Sequence, residues 1–365
     1  MYLTRLDVHG IRNITSAFLL PKEGINILYG ANGSGKTSLL EAIYLLGRGR
    51  TFRSRFTKTL INHQARQCTV FGVVNSEKHT APYSIGVSRE VSGSFEFKVD
   101  GRRVSTPSSL ASALPLLLMN SESFQLIEGG ASGRRRFLDW GVFHVEQQFQ
   151  PLWGRFQRSL QQRNKLLRHD KISMRELVSW DESFVRLSIE LSDMRREYFE
   201  RISPVFYDLI SKLTSLKGVA LDFYPGWNED QALHVLLKEN FDRDTKRCTT
   251  HAGPHRADIQ ISVDGLSARD VLSRGQIKSL IAALIVGQGK MFHQTISMPC
   301  IYLFDDIVSE LDSDYLMRLL NVLADENAQV FITGTDFLPL TKVLESEKNI
   351  NFAVFHVKQG EVNSQ

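Results

Sequence analysis

Gly30-Ala31-Asn32-Gly33-Ser34-Gly35-Lys36-Thr37 matches G-x-x-x-x-G-K-[ST] at every defined position. The pattern follows the apolar run Gly24-Ile25-Asn26-Ile27-Leu28-Tyr29 and precedes an apolar stretch over 38–46. It therefore sits between a buried-type strand and a helix, the context in which it binds phosphate. Glycines let the backbone wrap an anion with its N–H groups pointing inward. The start of a helix adds partial positive charge. Lys36 then reaches the β- and γ-phosphates, and the Thr37 hydroxyl ligates Mg2+. The predicted nucleotide contacts are Gly30, Asn32, Gly33, Ser34, Gly35, Lys36, Thr37 and Ser38. A phosphate loop alone would also fit a kinase, a GTPase or a helicase.

The C-terminal third narrows the choice. Ile301-Tyr302-Leu303-Phe304-Asp305-Asp306 is an apolar run ending in two carboxylates. A buried strand there delivers Asp305 to the Mg2+ shell and projects Asp306 toward an attacking water. Asp306 and Lys36 are the catalytic candidates. Ser309-Glu310-Leu311-Asp312 follows, and Leu272-Ser273-Arg274-Gly275-Gln276 precedes. These resemble the D-loop and the LSGGQ signature of ABC ATPases, which usually carry Glu at the Asp306 position. In that class the signature serves the ATP held by a partner subunit. Ser273, Arg274, Gly275, Gln276 and Asp312 are then contacts made in trans, and ATP drives a two-fold homodimer. Thr335 aligns where those ATPases place a switch histidine. The resemblance implies an α/β fold: an ABC-type ATPase head, with mixed and antiparallel β sheets around the phosphate loop, plus an inserted helical lobe.

Outward from these motifs, 1–100 reads mostly as strands, with alternation over 69–75, 83–89 and 94–99 and a hairpin signal at Asp100-Gly101. Apolar residues then fall at helical spacing over 149–167 and 177–198. Two helices joined across 169–173 form a short antiparallel hairpin, read either as an arm or as the core of an ordinary helical subdomain. After 214 the pattern returns to mixed α/β, with strands at 219–224, 259–263, 300–304 and 330–333 and helices at 230–246 and 272–288. The predicted division is 1–133 and 215–365 for the head and 134–214 for the helical lobe.

Composition sets outer bounds. The 365 residues are 42% hydrophobic and 23% charged, with a net charge of +4, enough for a sizeable core and mildly basic. Three dispersed cysteines suit a reducing compartment. Arg5, Asp7 and His9 interrupt the start of the chain, and no apolar run approaches the ~20 residues that span a bilayer. A cytoplasmic protein without membrane association is expected.

Several stretches together resemble the RecF family. Gly10-Ile11-Arg12-Asn13 is similar to its G-F/I-R-N, and Gly49-Arg50-Thr51-Phe52-Arg53 to its R-S-F-R. The segment from Ser121-Glu122 to Gly129-Gly130-Ala131-Ser132-Gly133-Arg134-Arg135-Arg136-Phe137-Leu138-Asp139 is similar to P-E/D…G-G-P-x-x-R-R-x-F-L-D, with Ser121 and Ala131 in place of prolines. Gly253-Pro254-His255-Arg256-Ala257-Asp258 matches G-P-H-R-x-D. The resemblance implies that Arg12 lies near the ATP phosphates. It also implies a slow ATPase that binds DNA with ATP at gapped duplex and single-strand/double-strand junctions. Its partners would be RecR, with RecO and RecA in the pathway of gap repair.

Residues 42–76 carry Arg48, Arg50, Arg53, Arg55, Lys58 and Arg66 without one acidic residue. The first five are candidate DNA contacts, of the kind that read backbone and not bases. Three other readings compete. A transporter ATPase inserts far less chain between its phosphate loop and signature. A nuclease sharing this ATPase would need an acidic metal cluster beyond it. A non-catalytic DNA-binding protein would not need Lys36, Asp305 and Asp306.

Overall fold

The computed structural model describes residues 1–53, 59–169, 174–306, 313–337, 340, 341, 344 and 350–364. It divides into two compact units. One comprises Met1–Ser123, Leu209–Thr214 and Arg274–Gln365; the other comprises Phe124–Asp208 and Ser215–Ser273.

The first unit opens with β1 (Tyr2–Ile11), β2 (Ile14–Leu19), β3 (Ile25–Tyr29) and α1 (Lys36–Arg48). It continues with β4 (Gln67–Asn75), β5 (Tyr83–Glu90), β6 (Phe95–Val99), β7 (Arg102–Val104), α2 (Pro107–Ala113) and β8 (Leu116–Met119). The second unit holds α3 (Ala131–Val145), α4 (Phe149–Leu166), α5 (Met174–Leu213, all but its last turn), β9 (Val219–Tyr224), α6 (Leu233–Glu239) and α7 (Phe241–Arg247). Then come β10 (Asp258–Val263), β11 (Leu266–Ser267) and α8 (Ala268–Val271). The chain returns to the first unit with α9 (Arg274–Ile296), β12 (Ile301–Phe304), α10 (Ser313–Asp325), β13 (Gln329–Gly334), β14 (Phe352–Lys358) and β15 (Glu361–Ser364).

Two sheets organise the first unit. An antiparallel sheet runs β2-β1-β4-β5-β6-β7. A second runs β15-β14-β3-β13-β12-β8, parallel from β14 to β8, with β15 antiparallel at the edge. The burial patterns explain the difference. β4 alternates buried and part-exposed residues, so one face is packed and the other wet. β12 and β13 are buried at every position, as strands covered on both faces must be. α1 lies in the core between the sheets. Its Leu39, Leu40, Ile43, Leu45 and Leu46 join Leu6, Val8 and Val70 of one sheet with Leu28, Leu303 and Phe331 of the other. β3 thus ends at the phosphate loop with β13 beside it and β12 one strand further out.

The turn signal at Asp100-Gly101 holds. Asp100 and Gly101 take φ of 51° and 72°, the left-handed pair a tight hairpin turn requires. Three helices depart from expectation, and one of them, expected at 272–288, is α9, which runs on to Ile296 with Met291 and Phe292 buried. α5 runs to Leu213 because the apolar spacing continues through Ile202, Phe206, Leu209 and Leu213, all buried. The helix expected at 230–246 is divided at Asn240, a weak helix former, into α6 and α7. α4 and α5 are antiparallel: Phe156 meets Phe184 at 5.6 Å between ring centroids, and Arg163 meets Asp181 at 2.7 Å. Both phenylalanines also face His255, so the hairpin packs on the 253–258 turn.

Candidate functional site

The loop after β3 turns through glycines in conformations that side chains resist. Gly30, Gly33 and Gly35 have φ of 154°, 76° and 119°, and a Cβ on Gly30 would stand 2.2 Å from the Val357 carbonyl. Gly35 caps α1 without any side-chain hydrogen bond, which leaves the helix's first N–H groups for an incoming anion. Ser34 Oγ is buried and has no hydrogen-bond partner among the described residues. Lys36 Nζ donates to the loop's own carbonyls, Gly30 O at 2.6 Å and Ala31 O at 2.9 Å. Burial lowers its pKa, opposed by the charges of Asp306 and Asp305. A cleft of about 280 Å³ opens here, lined by Asn32, Gly33, Gly35, Lys36, Thr37 and Ser38 from the loop. Arg12, Asn13, Arg53, Asp306 and Thr333 line its other walls. Orphan donors, one buried ammonium and an open polar cleft fit a nucleotide's phosphates.

Parallel register brings the carboxylates to this cleft. Thr37 Oγ1 donates to Asp305 Oδ1 at 2.9 Å across 268 positions of sequence. That spacing matches the edge of an octahedron with arms of about 2.05 Å, the geometry Mg2+ demands. Burial pushes the Asp305 carboxyl above its usual range. Hydrogen bonds from Thr333 and Thr37 pull it down, and Asp306 pushes it up again. A bound cation would relieve that cost. Thr37 and Asp305 are thus the residues that would hold Mg2+. Asp306 has a left-handed φ of 58° and lines the cleft, and its backbone N–H donates to Thr333 Oγ1 at 2.8 Å.

Thr333 went unrecognised in the sequence. Its hydroxyl donates to Asp305 Oδ1 at 2.8 Å while accepting from Asp306 N, so one side chain ties both carboxylate-bearing residues to β13. Thr335, the switch candidate, is exposed just past β13 and does not line the cleft. Asn13 was also missed. Its amide donates to Gly33 O and its Oδ1 accepts from Ser38 Oγ, both at 2.9 Å, stapling the loop to α1. Gly360, in the β14–β15 turn, donates its N–H to Ser34 O at 2.8 Å. Only the Asn13 position carried a signal, since it lies within the G-I-R-N stretch.

Arg12 lines the cleft, yet its charge is already matched. Nε and Nη2 donate to the two oxygens of Glu41, a fully buried carboxylate on α1, at 2.9 and 2.8 Å, and Nη1 donates to Thr59 O. Thr51 Oγ1 donates to the same Glu41. Arg53 is exposed in the cleft wall, and its charge lowers the Asp305 pKa. Arg48 is half-buried at the end of α1, and burial lowers its pKa. Arg50 is exposed. Arg55, Lys58 and Asp312 lie outside the described residues. Ser273 immediately precedes α9, and Arg274, Gly275 and Gln276 form its first turn. All four are exposed.

A phosphate loop between an antiparallel and a parallel sheet, Asp305-Asp306 at the end of β12, and an exposed S-R-G-Q at the head of a buried helix together define an ATPase head of the ABC/SMC type. The RecF/RecN/SMC N terminal domain model matches residues 2–362. The Smc head bound to the C-winged helix domain of ScpA superposes with a TM-score of 0.60 at 16% identity, covering 100% of this chain and 98% of that one. Within that class the chain belongs to the RecF family. It is 43% identical to the DNA replication and repair protein RecF of Pseudomonas putida strain KT2440, over 99% of this chain and 98% of that protein. It is 42% identical to RecF of Pseudomonas syringae pv. syringae, with the same coverage. The structure of the recombination mediator protein RecF-ATP in the RecFOR pathway matches with a TM-score of 0.87 at 24% identity, over 100% and 97% of the two chains. This membership decides against the transporter and nuclease readings. No helix among the described residues is long and apolar enough to cross a membrane.

Proposed function

We propose that this chain is an ATP-gated DNA-repair protein of the cytoplasm. It binds ATP with Mg2+, closes into a homodimer over two nucleotides, holds gapped duplex or single-strand/double-strand junctions, and hydrolyses ATP slowly to let go. RecR, with RecO and RecA, would act at the same sites. The observation that carries this reading is the 2.9 Å contact between Thr37 and Asp305, which joins the two halves of an Mg2+–nucleotide site.

Lys36 exchanges the loop carbonyls for phosphate oxygens. Asp306, held by Thr333, orients and accepts a proton from the attacking water. The Asp306 side chain is one methylene shorter than the usual Glu, which supports slow turnover. Ser273, Arg274, Gly275 and Gln276, exposed at the start of α9, would meet the partner's γ-phosphate, with Asp312 beside them.

Sedimentation and DNA-binding anisotropy test this together. Lys36→Met should abolish ATP-dependent binding to gapped DNA. Asp306→Asn should slow hydrolysis by about 100-fold, the scale of losing a general base, and accumulate an ATP-bound dimer. An Asp306→Asn protein that stays monomeric with ATP would contradict the shared-site model.

A further inference from the structure

Arginines converge on the 253–258 turn of the second unit. Arg134 donates Nε and Nη2 to the two oxygens of Asp258, at 2.7 and 2.9 Å. Arg195 does the same with Asp139, at 2.8 and 3.0 Å, and donates Nη1 to Pro254 O at 2.7 Å. Both carboxylates are thereby matched. Arg135 and Arg256 are left differently. Arg135 Nη1 reaches only a carbonyl, Ala257 O at 2.8 Å, and Arg256 Nη2 reaches Thr250 O at 3.3 Å. Neither makes an ion pair among the described residues.

The local sum is positive. Four arginines (134, 135, 195, 256) against two carboxylates (139, 258) leave two positive charges at the turn, partly offset through Thr250 by Arg163 with its two carboxylates, Asp181 and Asp244. His255, whose pKa burial lowers to about 4, adds none at neutral pH. Arg136, exposed on α3 and donating to Ser132 Oγ, adds a third. Burial lowers the Arg135 pKa most and the Arg195 charge next; Asp258 and Asp139 pull it back up, and Arg256 adds the smallest push down. A cluster with more cations than anions raises the folded state's energy, and an external anion reduces that cost.

We propose that Arg135 and Arg256 form a binding site for backbone phosphates of DNA on the second unit. The proposal rests on the reading of this chain as a DNA-binding protein and adds a surface to the basic stretch of the first unit. A guanidinium fork matches a phosphate's two oxygens. An acidic protein fits less well, because protein interfaces are anchored by buried apolar side chains. The large exposed apolar residues of the second unit lie on α4, α5, α8, β9 and β11, and one of them, Tyr224, pairs across the sheet with Asp258. Among the described residues none lies on α3 or the 253–258 turn. Such contacts carry no base information, so binding here is indifferent to sequence.

The test is anisotropy of a labelled gapped duplex with ATP, over a salt series. Arg256→Ala and Arg256→Glu are compared with Arg243→Ala, a change at an exposed arginine of α7. A fluorescent ATP analogue checks the nucleotide site independently. Arg256→Ala should weaken DNA binding about tenfold and flatten the slope of log K against log salt by about 0.9 for each phosphate no longer neutralised. ATP-analogue affinity should be unchanged, and Arg243→Ala should behave as the unaltered protein. Arg256→Lys should recover part of the affinity but not the fork's full effect. Unaltered DNA affinity and salt slope in Arg256→Glu would overturn the site while leaving DNA binding intact. Failure of the unaltered protein to bind DNA with ATP would overturn the underlying reading as well. Binding of polyglutamate but not DNA, abolished by Arg256→Glu, would reassign the site to an acidic protein.

Discussion

Thr333 is the side chain on which the two carboxylates of the site depend. It is buried, and its hydroxyl both donates to Asp305 and accepts the Asp306 N–H. Valine there would keep the shape and leave that N–H without its partner, a loss of about 1–3 kcal/mol. Thr333→Val should therefore lower kcat about tenfold, equivalent to ~1.4 kcal/mol at the transition state, with little change in KM. Thr333→Ser should restore most of the rate, because it returns the hydroxyl. Steady-state kinetics of the two variants decides it: equal loss in both would show that packing, not the hydrogen bonds, matters. The Arg12–Glu41 pair carries a different lesson. An arginine lining a phosphate cleft is not automatically a phosphate ligand when a buried carboxylate takes two of its nitrogens.

Elements explain how the phosphate loop keeps its shape. Two turns grip it from outside: Arg12-Asn13, between β1 and β2, and Gln359-Gly360, between β14 and β15. Asn13 holds Gly33 and Ser38, and the Gly360 N–H holds Ser34 O. The turns also touch each other. A Cβ on Gly360, whose φ is 85°, would lie 2.6 Å from Asn13 O. Gly360→Ala should cost about 1–3 kcal/mol of stability through that strain. It should also weaken ATP binding several-fold, because the clash moves the turn that positions Ser34. Thermal unfolding and titration with a fluorescent ATP analogue test the two effects separately. Unchanged affinity would mean that the last hairpin plays no part in the site. Elsewhere in the chain, helix and strand types were legible because their periodicity is local. The ends of α5 and the division at Asn240 were not, since packing extends one helix and a weak former interrupts another.

At the level of the whole molecule, the second unit stores an acid-sensitive contact. The His255 ring packs against Phe156 and Phe184, and its Nε2 pairs with Thr250 O at 2.9 Å. Burial lowers its pKa to about 4, with the charges of Arg256, Arg135 and Arg163 acting in the same direction. The unfolded ring takes up its proton near 6.5. Its contribution is therefore complete above about pH 6.5 and declines as pH falls toward 4. Urea midpoints from pH 7.5 to 5 should fall more steeply for the unaltered protein than for His255→Gln, a comparison that separates this ring from Asp181, whose carboxyl burial pushes up. Parallel midpoints in the two would remove His255 from the account. The amino-acid sequence alone determined the phosphate loop, the strand ending in Asp305-Asp306, the S-R-G-Q helix start and the hairpin turns. Each is written in contiguous residues whose chemistry and spacing state their role. Tertiary structure alone decided that Thr333 meets the carboxylates, that Gly360 closes on Ser34, and that Glu41 claims Arg12. Those meetings depend on strand register and on packing between segments as far as 326 positions apart, distances over which no local pattern carries information.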